Sequence, residues 1–175
     1  VPYNLSQDLN YSANLAIEPV DGLKLIASGM YNKLNKGSIN QFGDSLTDNI
    51  HYWVANGSIV FMNPEKKTEF IAEYFSSNNS YEKTGTKTLH GAFAYLGYKV
   101  SEKVVPYLFA EGIKFNNSDM FYSGSTRTLE SNFSIKPGFR YRFTSNAIFK
   151  LEYELLFGEK SHFSHGPRTQ FAFAF

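Results

Sequence analysis

Apolar and polar residues alternate along much of this chain, and short polar segments interrupt the alternation. From Phe133 to Phe143 every odd position is apolar or aromatic, whereas Lys136, Arg140 and Arg142 take even positions. Successive side chains of a β-strand point to opposite faces, so this pattern predicts strands with one apolar and one polar face. We predict nine such strands, approximately over 9–19, 23–34, 50–62, 67–77, 87–101, 104–116, 130–143, 147–158 and 168–175.

The connections between these strands alternate in length. The short ones are 20–22, 63–66, 102–103 and 144–146, and the long, polar ones are 35–49, 78–86, 117–129 and 159–167. Short periplasmic turns and longer external loops are typical of transmembrane β-barrels. The alternation therefore predicts an antiparallel meander with its short turns at one end and its long loops at the other.

Residue parity across the predicted hairpins tests this interpretation. In the hairpin of 130–158 the apolar faces match, which places Lys136 opposite Glu154 and Arg140 diagonal to Glu152. The two-residue turn at 102–103 instead matches Tyr98 with Tyr107. That register would put Glu111 on the apolar face, where a carboxylate is costly, so we expect a bulge there or a position of Glu111 near the outer interface.

Composition narrows the class of protein. The chain has 175 residues, a net charge of +1 and no cysteine, which fits one domain without a disulfide framework and gives no reason to expect nucleic acid as a partner. Aromatic residues make up 17% of the chain, yet mean hydropathy is −0.32. No apolar run approaches the ~20 residues of a membrane helix. A sheet with one apolar face and one polar face fits these values.

The last predicted strand carries the most specific motif. It ends Arg168-Thr-Gln-Phe-Ala-Phe-Ala-Phe175, so Phe171, Phe173 and Phe175 share one face. In water, such an edge would be a template for aggregation. This strand resembles the C-terminal signature strand of Gram-negative outer-membrane β-barrel proteins, and the whole chain resembles porin-type barrels in pattern.

The resemblance implies an all-β fold, a transmembrane antiparallel β-barrel that spans 1–175 as one domain in the bacterial outer membrane. It implies contact with outer-membrane lipid and lipopolysaccharide, insertion by the barrel-assembly machinery, and no cofactor. Bacterial single-chain barrels have an even number of strands. Nine visible strands therefore predict at least one further strand upstream of Val1, so that the chain is the C-terminal part of a larger barrel. Such a barrel could assemble into an oligomer or into a larger membrane complex.

The polar face supplies the candidate pore-lining residues. The resemblance to porin-type barrels implies passive diffusion of small hydrophilic solutes past these residues. Because cations and carboxylates are nearly balanced there, we expect no strong ion selectivity. The same residues could instead pair with one another and fill a closed barrel that serves a structural or partner-binding role. The predicted pore-lining residues are Lys24, Lys67, Glu69, Glu73, Lys136, Arg140, Arg142, Lys150, Glu152 and Glu154.

Other candidate sites carry weaker patterns. Ser76, His90, His51 and Asp48 lie toward the long-loop ends of their strands and would suit a barrel hydrolase, but no nucleophile motif accompanies them. Asp44 and Asp48 could bind a divalent cation in the loop 35–49. His162 and His165 lie in the last predicted loop, where we favour plain surface histidines. We expect neither catalysis nor a metal site, and a soluble β-sandwich remains an alternative fold.

Overall fold

The computed structural model of the chain describes residues 10–39, 43–63, 65, 67–116, 119, 121–122, 130–159 and 162–173. These residues form an all-β architecture, and none of their segments is a helix long and apolar enough to cross a membrane. The strands are β1 (Tyr11–Val20), β2 (Leu23–Leu34), β3 (Ile50–Asn63), β4 (Thr68–Tyr81), β5 (Gly85–Tyr98), β6 (Val104–Lys114), β7 (Asn132–Thr144), β8 (Ala147–Gly158) and β9 (Phe163–Phe173).

The nine strands pair in sequence order, each antiparallel to the next, in a single sheet. The predicted all-β antiparallel meander is therefore confirmed. Within the described residues β1 and β9 do not pair with each other, so the sheet is open and forms no closed barrel by itself.

Two of the four long loops predicted from the sequence are wrong. Strand β4 continues to Tyr81 and β5 begins at Gly85, so the predicted loop 78–86 shrinks to the turn 82–84. Strand β9 begins at Phe163, so the predicted loop 159–167 shrinks to 159–162. Ser and Asn residues favour loops by propensity, but ladder pairing along the full β4–β5 hairpin overrides that preference. The connections 35–49 and 115–131 are long, as predicted.

The predicted register of β5 with β6 is also wrong. Gly97, not Tyr98, lies opposite Tyr107, because the connection between the strands is 99–103 rather than 102–103. A register shift of one residue moves every side chain of a strand to the other face. Glu111 therefore lies opposite Phe93 on the polar face, so the register requires neither a bulge nor a carboxylate on the apolar face.

The sheet has two faces of opposite character, which we call outer and inner. In register, the outer face joins the apolar positions of neighbouring strands, such as Leu25 with Ile59 and Phe149 with Phe171. Large apolar side chains on it are widely exposed, for example Leu96 at 52% and Phe171 at 60%. The inner face carries most of the charged residues, so the predicted segregation of the two faces is confirmed.

A contact between β4 and β7 shows that the inner face is concave. Arg140 Nη2 donates to both carboxylate oxygens of Glu69, at 2.9 and 3.0 Å, although β5 and β6 lie between their strands. In a flat sheet these strands would be about 14 Å apart, three times the ~4.8 Å strand spacing, and their side chains would rise in parallel. The sheet must therefore curl to bring the two groups together.

Parts of both long connections pack at the loop end of the inner face. Leu46 of the connection 35–49 joins Ile50 and Tyr81 in a small apolar cluster, against which Phe121 of the connection 115–131 also packs. The Asp119 carboxylate, 1% exposed as a residue, accepts hydrogen bonds from Asn79 Nδ2 (2.7 Å) and the Tyr81 hydroxyl (2.5 Å). These contacts attach both connections to β3 and β4.

Tyr122 of the connection 115–131 packs in the same region. Burial raises the pKa of Tyr122, whose hydroxyl shares a hydrogen bond of 2.6 Å with Ser77 Oγ. Ser77 is itself 2% exposed. Polar groups in this region are thus withdrawn from water and bonded to one another, which fixes the connection against the strand.

Candidate functional site: the inner face of β4 to β8

A row of directly opposed residues crosses the inner face near the short-turn end. Tall polar side chains alternate in it with glycine across five strands, β4 to β8, which leaves lateral space above each glycine. The row runs Glu69, Gly97, Tyr107, Gly138, Glu152 and Arg168 from β4 to β9.

The space above Gly138 is used by a hydrogen bond that passes over β7. The Tyr107 hydroxyl donates to Glu152 Oε1 at 2.7 Å. A Cβ at Gly138 would lie 3.1 Å from Tyr107 Cζ, 3.0 Å from Glu152 Cγ and 2.7 Å from the Leu151 carbonyl oxygen. Only glycine therefore fits beneath this bond without displacement of its neighbours.

Glu69 is the common partner in the first group of ionic contacts. Besides the two bonds from Arg140, it accepts a hydrogen bond from the Tyr95 hydroxyl at 3.0 Å and lies 3.8 Å from Lys99 Nζ. Its side chain is 10% exposed. A buried carboxylate needs such partners, because unpaired burial of a charge is costly.

Lys136 is the common partner in the second group of ionic contacts. It forms ion pairs with Glu111 and, at 3.3 Å, with Glu154, and its Nζ lies 5.2 Å from the centre of the Phe109 ring. Glu154 is also paired with Arg168. The predicted partnership of Lys136 with Glu154 is confirmed. The position predicted for Arg140, diagonal to Glu152, holds in register, but its ionic partner is Glu69.

Lys150 differs from the other cations of this region. It lies directly opposite Arg140 on the neighbouring strand. No carboxylate among the described residues lies within ion-pairing distance of its ammonium group, whereas Lys99, Lys136, Arg140 and Arg168 each have one. Like charges directly opposite each other on paired strands repel.

These groups surround a cavity of about 350 Å³ on the inner face. Its apolar wall comes from β3 to β6, where the rings of Phe93 and Phe109 stack with centroids 5.7 Å apart and Met62 and Ile71 lie beside them. Volumes of this order suit a small molecule.

The part of the lining that comes from β7 and β8 is charged. It consists of three cations, Lys136, Arg140 and Lys150, and one carboxylate, Glu152, whose Oε1 is already bonded to Tyr107. The cavity therefore combines flat apolar surface with three cations, of which Lys136 and Arg140 are paired with carboxylates outside the lining and Lys150 is not paired with any carboxylate among the described residues.

The predicted pore-lining residues divide into two sets. Six of them surround this cavity or belong to its ionic contacts: Glu69, Lys136, Arg140, Lys150, Glu152 and Glu154. The other four lie apart. Lys24 and Arg142 are exposed on the inner face, Glu73 accepts a hydrogen bond from Ser58 at 3.1 Å, and Lys67 lies in the turn before β4 with a φ of 57°.

Several residues of the site were not predicted. The sequence does not assign Glu111 and Tyr107 to the polar face, because a two-residue connection at 102–103 reverses the faces of β6 relative to the observed register. The alternating glycines of the row were visible in the sequence, but their meaning depends on strands being aligned in register.

The outer face repeats one arrangement three times. A tyrosine hydroxyl is hydrogen-bonded to the Nδ1 atom of a histidine on the next strand, which lies opposite the second residue after that tyrosine. The pairs are Tyr31–His51 (2.7 Å), Tyr74–His90 (2.7 Å) and Tyr153–His165 (2.5 Å).

The third pair corrects the prediction for the last loop. His165 lies within β9, opposite Leu155, rather than in a loop beside His162. On the same strand Phe171 and Phe173 lie on the outer face, 60% and 64% exposed. Phe175 lies outside the described residues.

The residues suggested for a hydrolase do not assemble into a triad among the described contacts. Ser76 and His90 are opposite each other, but His90 Nδ1 is bonded to Tyr74. The Asp48 carboxylate accepts the backbone N–H groups of Asn49 (2.9 Å) and Lys83 (2.8 Å). The described residues also include no group of three side chains that could hold a metal ion, around Asp44 or elsewhere.

Comparison with protein-family models, with curated proteins and with solved structures gave no match.

Proposed function

We propose that this chain is a transmembrane β-barrel protein of the bacterial outer membrane, and that its inner face lines a narrow aqueous passage for small hydrophilic solutes. The observation that carries the proposal is the inverted burial of the sheet. Charged side chains such as Glu69 and Lys136 are 7% and 8% exposed on the inner face, whereas Leu96 and Phe171 are more than half exposed on the outer face. Hydrocarbon chains would cover such an outer face.

The three Tyr–His pairs support the same placement. Each pair joins an aromatic ring to a hydrogen-bonded polar tip, and each lies on a hairpin that closes at the long-loop end. Amphipathic rings of this kind are favoured at the boundary between hydrocarbon and headgroups. Phe171 and Phe173 would supply the assembly signal read by the barrel-assembly machinery.

A membrane location requires that the open edges of β1 and β9 be paired. Hydrocarbon offers no water to unpaired N–H and C=O groups, so an open sheet edge is not stable within it. We propose that further strands or a neighbouring copy complete the barrel.

The contacts on the inner face argue for a narrow passage. The ion pair of Arg140 with Glu69 joins β4 to β7 across the concave face, and Asp119 and Phe121 pack over β3 and β4 at the loop end. Such contacts reduce the open cross-section. They also favour one alternative function, a filled barrel that serves as a structural or partner-binding subunit.

Planar-bilayer recordings of the complete protein separate the two functions. We expect discrete conductance steps from the wild type and larger steps from the double variant Glu69→Ala/Arg140→Ala, which removes the ion pair across the interior. Lys24→Ala, on the inner face but away from the ion pair, is the matched control and should leave the steps unchanged. Silent bilayers with folded wild type and folded double variant would contradict the channel and favour the filled barrel.

A further inference from the structure

We propose that the inner-face cavity binds a small organic anion with a flat apolar group, held by Lys150 and Arg140 through its acid group. The inference deepens the proposed function by naming a solute class, and it rests on that function because the solute must reach the cavity through the aqueous interior.

The charge pattern selects an anion. Lys150 lies directly opposite Arg140. Arg140 is paired with Glu69, but no carboxylate among the described residues lies within ion-pairing distance of Lys150. A bound carboxylate between these two cations would relieve their repulsion. Both bonds from Arg140 to Glu69 use Nη2, so its remaining N–H groups are available to a ligand.

The single carboxylate in the wall does not favour a cation instead. Among the described residues that line the cavity, Glu152 is the only acidic one, against three cations. Its Oε1 already accepts the Tyr107 hydroxyl at 2.7 Å. Glu152 keeps its negative charge, but a cationic ligand beside it would also meet the ammonium group of Lys150, with which no carboxylate among the described residues pairs.

The apolar wall of the cavity favours a ligand with a flat apolar group. The stacked rings of Phe93 and Phe109 lie within 24° of parallel, and Ile71 adjoins them. A planar ring or short chain attached to the acid would cover this wall and exclude water from it, whereas inorganic anions would leave it wet.

The test is equilibrium binding of 4-fluorobenzoate, followed by ¹⁹F NMR, to folded full-length protein in detergent micelles. We expect saturable binding that Lys150→Gln weakens roughly tenfold, the size expected for loss of a charge-assisted contact. Lys24→Gln removes an inner-face cation outside the cavity and should bind like the wild type. Lys150→Arg keeps the charge with a different donor geometry and should lose less affinity than Lys150→Gln.

Competition by other ligands defines the class. Neutral 4-fluorobenzyl alcohol and inorganic phosphate should each displace 4-fluorobenzoate at least about tenfold less well than benzoate does. Equal displacement by the alcohol would overturn the anion site, and equal displacement by phosphate would overturn the apolar site. Unchanged affinity in folded Lys150→Gln would also overturn the inference. Because binding needs no conduction, these results are independent of the bilayer recordings that test the proposed function.

Discussion

The outer and inner faces belong to the same nine strands, yet the exposure of apolar and charged residues is reversed between them. On the outer face, large apolar side chains such as Ile59 and Leu96 are 43% and 52% exposed, with no protein among the described residues to cover them. On the inner face, Lys136 and Glu154 are each 8% exposed and paired with each other. In a soluble protein the charged residues would be the exposed ones.

The difference teaches that burial in this sheet follows the face on which a residue lies rather than its hydrophobicity. Alternation with a period of two assigns every residue to one face, and curl of the sheet brings the inner side chains into reach of one another.

The largest effect should come from a charge placed on the outer face. In lipid vesicles, Leu25→Arg should lower the free energy of unfolding by about 3 kcal/mol, because hydrocarbon would surround the guanidinium. Ile26→Arg, one residue along the same strand on the inner face, should cost less than about 1 kcal/mol, because the inner face is wet and polar. Urea unfolding measures both, and equal losses would show that the two faces share one environment.

Loss of the ion pair across the interior should have the next largest effect. Arg140→Ala leaves Glu69, with a side chain 10% exposed, without its principal partner, and should cost about 2 kcal/mol. Arg142→Ala is the control, because its side chain lies exposed on the same face of the same strand. Removal of Glu69 as well should restore part of the loss. A single variant as stable as the wild type would contradict a structural role for the pair.

A smaller effect should follow from a methyl group at the glycine beneath the Tyr107–Glu152 bond. Gly138→Ala should cost about 1–2 kcal/mol, because its Cβ would lie 2.7 Å from the Leu151 carbonyl oxygen. Gly166→Ala, on the inner face of β9, meets no atom within 4 Å and should be neutral or stabilising. If the two substitutions had the same effect, the inner face would not be packed as described.

The smallest effect should come from the outer Tyr–His pairs. Tyr74→Phe removes the hydrogen bond to His90 and should cost about 0.5–1 kcal/mol. Tyr98→Phe, on the same face, is the control because the described contacts include no hydrogen bond to its hydroxyl. A loss confined to Tyr74→Phe in equilibrium unfolding would confirm the pair, and equal losses would count against it.

Local alternation allowed most of the fold to be predicted from the sequence. Strand existence, sequential pairing and the faces of β1 to β4 and β7 to β9 depend only on residues close in the chain. The β5–β6 register failed because Ser101 and its neighbours extend the connection to 99–103, and one residue reverses a face.

The site was less predictable because it depends on distant contacts. Glu69 and Arg140 were both assigned to the polar face, but their bond joins positions 71 residues apart and arises only from curl of the sheet. The lack of a partner for Lys150 is likewise a property of the assembled strands. No periodicity along the chain carries that information.

The environment of Trp53 tests the central claim most directly, since it is the chain's single tryptophan and lies on the outer face, 42% exposed. In vesicles of brominated phospholipid, we expect strong quenching of its fluorescence. Moving the indole by one residue, in Trp53→Phe/Val54→Trp, should place it on the inner face and largely abolish that quenching. Equal quenching at both positions, or a folded monomer in detergent-free buffer whose Trp53 is quenched by aqueous iodide, would contradict the membrane location of the outer face.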